Sequence, residues 1–121
     1  MFTSKNKTLA HLKAASGKIK NETFDFNKID RFFTLSDKKG FHQVISDRTF
    51  QDLDMHEVFM FLDRTASKVG QQFLYQVLRT IPGNKIRTDK FEKIIQILKK
   101  NPELRDEVLP EIASLNKKDG Y

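Results

Sequence analysis

Between Asp54 and Leu115 the apolar residues recur every three or four positions, and the gaps between the runs carry helix caps and stops. Met55, Val58, Phe59 and Leu62 share one face of a first helix, and Asp54 followed by Glu57 has capping-box spacing. That helix ends near Arg64. Ser67 stands where a cap for the next belongs, and Val69, Phe73, Leu74, Val77, Leu78 and Ile81 form its apolar face. Gly70, in the first turn, costs about 1 kcal/mol against Ala, which predicts a close approach by another helix or backbone. Pro82-Gly83-Asn84 stops the helix. Thr88 is placed to cap a third, with Phe91, Ile94, Ile95 and Leu98 on one side. Asn101-Pro102 opens a fourth, with Leu104, Val108, Ile112 and Leu115 on its face and Pro110 kinking or splitting it. Short loops between four helices predict antiparallel neighbours.

Upstream the pattern is less regular. Thr8 to Ala15 has only Leu9 and Leu12 as apolar anchors and ends at Gly17, so a helix there is expected to form only on contact with something else. Phe24, Phe26, Ile29, Phe32, Phe33 and Leu35 cluster around a short helix opened by Asn27 and stopped by Ser36 to Gly40. An aromatic stripe of this kind is core rather than a base-stacking platform, because Lys28 and Arg31 are offset by Asp25 and Asp30. Phe41 to Phe50 reads as an irregular or short extended connector with no hairpin turn signal. The chain is therefore expected to be all-α: a helical bundle of about four to six helices over 23–116, a basic N-terminal arm over 1–22 with the composition of a disordered segment, and a polar tail over 117–121.

Charge changes the picture only at one end. The net charge is +6, and five of those charges are Lys5, Lys7, Lys13, Lys18 and Lys20, in a stretch without an acid. These five are the candidate nucleic-acid contacts, of the kind that attract phosphate without reading sequence; the plainer reading is a solubilising arm. The absence of Cys removes disulfides, thiolate metal sites and a Cys nucleophile. Residues 1–20 hold no apolar signal region, and no apolar run approaches the roughly 20 residues that span a bilayer. The expected location is the cytoplasm, with no membrane partner.

Catalytic chemistry finds little to stand on. His11, His42 and His56 are far apart and lack acids at ligand spacing, so no metal site is expected, and His56 reads as an exposed first-turn residue. No G-x-x-x-x-G-K-[ST] loop or G-x-S-x-G elbow occurs. Glu57 and Asp63 share a helix but no feature that would raise a carboxyl pKa. Asp63-Arg64 instead sits where one helix ends and the next begins, so either side chain can bond the turn or the exposed N–H groups beyond it.

The ordered series Asp47, Thr49, Asp52-Leu53, then Leu62-Asp63-Arg64-Thr65, Ser67, Gly70, Leu74, Leu78 and Pro82, continues with Phe91, Ile94, Leu98 and Asn101-Pro102-Glu103-Leu104-Arg105. From about Ile45 to Leu115 it resembles the first part of the core, or lever, domain of the MutS superfamily of DNA mismatch-repair ATPases. The resemblance is strongest to MutS-related proteins without the mismatch-reading domain. The chain departs from that pattern after Pro82, where Gly83-Asn84-Lys85 replaces apolar residues and an acid.

The resemblance implies a structural motif, Asp63, Arg64, Thr65, Ser67, Gly70, Leu74, Leu78 and Pro82, and no catalytic, cofactor or metal residue in these 121 positions. ATP and Mg would belong to a P-loop domain outside them, and DNA to clamps likewise outside; the parent would be a DNA-dependent ATPase, possible as a dimer. The partners implied are the rest of that chain and, for the whole protein, DNA. An excised bundle of this kind is expected to expose an apolar strip that further helices cover. The alternatives are a free-standing helical adaptor for a protein partner and a non-specific nucleic-acid module working through the basic arm.

Overall fold

The computed structural model describes residues 4–116, and the side chains from residue 9 onward. It is mostly helical, with one two-stranded pairing. In chain order the elements are α1 (Ser4–Ala15), α2 (Phe26–Ile29), α3 (Arg31–Leu35), β1 (Phe41–Val44), α4 (Asp47–Asp52), α5 (Met55–Leu62), α6 (Lys68–Arg79), β2 (Thr80–Pro82), α7 (Ile86–Lys100) and α8 (Pro102–Ser114). The polar tail expected over 117–121 lies outside the described residues.

The core is aromatic and small. Ile29, Phe33, Phe50, Phe59 and Tyr75 are buried, with Phe24, Phe26, Leu74 and Leu78 packed against them. Tyr75 is its centre: the rings of Phe50, Phe59 and Phe33 stand edge-on to it at 5.3, 5.8 and 6.0 Å, the arrangement the ring quadrupole favours. His56 is not the exposed first-turn residue expected. Its ring is half-buried against Phe26 at 4.4 Å and Phe50 at 5.1 Å, because the α4–α5 corner turns the first turn of α5 inward.

That corner also corrects the expected capping box. Asp54 adopts the left-handed conformation at φ 52° and makes no side-chain cap, a conformation Asp tolerates better than most residues. The cap in this region is Ser46, whose Oγ accepts from Thr49 N at 3.2 Å and starts α4. The third predicted cap moves too: α7 begins at Ile86, two residues before Thr88, where Asn84 Oδ1 accepts from Ile86 N at 3.1 Å.

The stretch expected to be an irregular or short extended connector is extended over β1, which runs antiparallel to β2 with Val44 opposite Thr80 and Phe41 opposite Pro82. Pro82 is therefore a strand residue, and α6 stops at Arg79 rather than at the proline. Gly83 follows the strand, and a Cβ built there would lie 2.8 Å from the Gly40 carbonyl oxygen. No L side chain fits that approach to backbone. Gly83→Ala is expected to lower stability by about 1–3 kcal/mol through overpacking, visible as a lower urea midpoint.

The arm is not loose over its described length. α1 lies against α8, and Lys13 Nζ meets Asp106 Oδ2 at 3.2 Å. Chain contact supplies what its two apolar anchors lack. Pro110 neither splits α8 in two nor ends it; the helix runs through to Ser114. Neither α7 nor α8 buries a residue, and Ile94, Ile95, Ile97 and Leu115 are each about half exposed.

Candidate functional site

The residues that stand out chemically gather at the corner between α5 and α6. Asp63 leaves α5 in an extended conformation while its N–H still bonds Phe59 O at 2.8 Å. Four residues later Ser67 begins α6 as an N-cap, its Oγ accepting from Gly70 N at 2.9 Å. The Asp63 side chain turns inward and is fully buried. A buried carboxylate costs several kcal/mol unless every lone pair is used, and here they are used. Oδ1 accepts from Thr65 N at 2.9 Å and from Thr65 Oγ1. Oδ2 accepts from Gln71 Nε2 at 2.7 Å and Lys20 Nζ at 3.1 Å. Burial pushes the carboxyl up, but the bonds from Thr65 and Gln71, with the Lys20 charge, outweigh it and hold the pKa below the usual value.

Lys20 reaches this carboxylate from the arm and also donates to Thr65 Oγ1 at 3.1 Å. Of the five basic-arm residues, Lys13 is paired with Asp106, Lys20 is committed to Asp63, and Lys18 makes no ion pair among the described residues. The side chains of Lys5 and Lys7 lie outside the described ones. Of the structural motif, Asp63, Thr65, Ser67 and Gly70 come together at the corner. Arg64 points out, its guanidinium 5.7 Å from the Phe61 ring centre. Gly70 makes its close approach to its own cap: a Cβ there would meet Ser67 Oγ at 3.0 Å and Thr65 Cβ at 3.6 Å. The neighbour predicted to be another helix or backbone is thus the corner's own side chains. Leu74 and Leu78 pack on the core, and Pro82 lies in β2.

At the other end of α6, Arg79 is 4% exposed. Its Nε and Nη2 both donate to Ile45 O, at 3.0 and 2.7 Å, Nη1 donates to Tyr75 Oη at 2.8 Å, and Nη2 also meets Asp47 Oδ1 at 2.7 Å. The guanidinium lies over Phe33 at 4.4 Å and Phe50 at 4.7 Å. Gln71, Tyr75 and Arg79 were not singled out by sequence. They lie at i, i+4 and i+8, on the same face as Leu74 and Leu78, so a polar bond network closes each end of an apolar strip.

Above the Asp63 corner a cleft of about 470 Å³ opens between the arm, the start of α6 and the end of α8. Asn116 closes it by accepting from Lys68 N at 2.7 Å and donating to Ala66 O at 3.0 Å. Among the described residues no three His, Asp or Glu side chains gather as metal ligands, and no helix is long and apolar enough to cross a membrane. No protein-family model, curated protein or solved structure matches the chain. The corner can hold helices at a fixed angle and tie down the arm. Its one carboxylate is already saturated with donors, which leaves no lone pair to take a proton from a substrate.

Proposed function

We propose that this chain is the non-catalytic helical region of a MutS-like DNA mismatch-repair ATPase. Its role is mechanical: α5 and α6 form a stiff corner that couples DNA engagement to an ATPase domain outside these 121 residues. ATP and Mg act there, the cytoplasm is the setting, and the remaining chain is the first partner. The observation that supports this reading most is the fate of the residues carrying the resemblance. Asp63, Thr65, Ser67 and Gly70 bond or press on one another within a single turn. Such a signature fits an architectural joint rather than a reaction centre. The exposed isoleucines of α7 and α8 add to it, since further helices of a lever domain would cover them.

The coding frame beyond residue 121 provides the test. A downstream G-x-x-x-x-G-K-[ST] segment following a strand is the expected result. A stop codon directly after Tyr121 would overturn the reading in favour of a free-standing adaptor.

A further inference from the structure

α7 and α8 form a hairpin joined at Asn101, and the two helices carry opposite charge. α7 holds five cations and two carboxylates, α8 four carboxylates and one cation. Yet no ion pair among the described residues links them; Asp106 of α8 is taken by Lys13 of α1. Helical spacing places the remaining charges. On α7, Lys90, Lys93, Ile94, Ile97 and Lys100 share one exposed face. On α8, Leu104, Glu107, Glu111 and Leu115 share another. None of these lysines or glutamates enters an ion pair among the described residues, and Ile94, Ile97 and Leu115 are each about half exposed. Each face therefore mixes apolar side chains with charge of one sign, and the two signs are complementary. At 1.5 Å per residue both helices are about 20 Å long, so either face can run the length of the other.

We propose that a second copy of the chain covers these faces. About a two-fold axis, α7 of each copy lies on α8 of its partner, and the four helices form a bundle in which lysines meet glutamates on both sides of the axis. A two-fold contact requires a surface that is its own complement, and a hairpin with one basic and one acidic helix supplies it. An anionic lipid surface would attract α7 but repel the glutamates of α8. The inference goes beyond the proposed function and does not rest on it; Ile95, on the opposite side of α7, remains for other helices.

Sedimentation equilibrium of the 121-residue protein is expected to show a reversible monomer–dimer equilibrium that weakens as salt is raised. One face is reversed by Lys90→Glu with Lys93→Glu, the other by Glu107→Lys with Glu111→Lys. Either reversal sets like charges against each other on both sides of the axis and should raise the dissociation constant at least about tenfold. All four changes in one chain restore complementarity with the signs exchanged, and dimerisation should return. Damage to the fold would not be repaired by two further substitutions. All four side chains are exposed, and the thermal melt of each variant reports that the fold is kept. A protein that stays monomeric at low salt would overturn the proposal, as would a dimer indifferent to either reversal, a failure of the combined variant to dimerise, or growth beyond the dimer. So would binding of phosphatidylserine vesicles by a protein that remains monomeric.

Discussion

Asp63→Ala is expected to destabilise the fold by about 3–5 kcal/mol, the cost of removing one partner from a buried charged pair. The substitution removes, from a site where the carboxylate is fully buried, the oxygens that accept from Lys20, Gln71 and the Thr65 N–H. For a domain of this size, that is a fall in Tm of roughly 10–20 °C. Asp63→Asn keeps an acceptor oxygen but loses the charge, and should cost less than half as much. The same carboxylate sets an acid limit. Its folded pKa lies below the usual value, so the unfolded chain binds the proton more readily. The stabilisation is complete above the ordinary carboxylate range near about 3.9 and is lost as pH falls through the lowered folded value. Urea titrations across acid pH should show wild type losing stability there while Asp63→Ala, already without the group, changes less.

Arg79→Ala is the second large effect, expected at about 3 kcal/mol. Ile45 O loses two donors and Tyr75 Oη loses one, and an orphaned buried acceptor costs about 1–3 kcal/mol by itself. The guanidinium also leaves a gap between the Phe33 and Phe50 rings. The exposed Asp47 contributes little, since its side chain is 95% accessible. Arg79→Lys retains the charge but not the planar fork that holds Ile45 O with two nitrogens. It should recover well under half of the loss in a thermal melt. If Lys restored stability fully, the charge rather than the fork geometry would be the stabilising element.

The two substitutions mark the boundary of what periodicity reveals. The helical runs, the Ser67 cap and the core positions of Leu74 and Leu78 follow from the spacing of apolar residues. The true inward face of α6 does not, because an apolar template skips Gln71 and Arg79 and prefers Val69 and Val77, which are 50% and 43% exposed. The polar pair faces inward only because its partners wait there. Asp63 is eight residues from Gln71, and Ile45 is 34 from Arg79. The pairing of β1 with β2 was hidden for the same reason: no turn joins the strands, and the helices between them bring Val44 to Thr80. Asp63 itself was legible as a structural residue at a helix end. Its tie to Lys20, which draws the arm into the corner, was not, because nothing local to either residue announces the other.

The proposed role as a mechanical joint in a DNA-dependent ATPase is tested by the DNA stimulation of ATP hydrolysis in a protein that extends residues 1–121 through a downstream P-loop domain, with Asp63 intact and with Asp63→Asn. Basal hydrolysis is expected to be kept while stimulation by DNA falls. Unchanged stimulation in a folded Asp63→Asn protein, or ATP hydrolysis by residues 1–121 alone, would contradict that role.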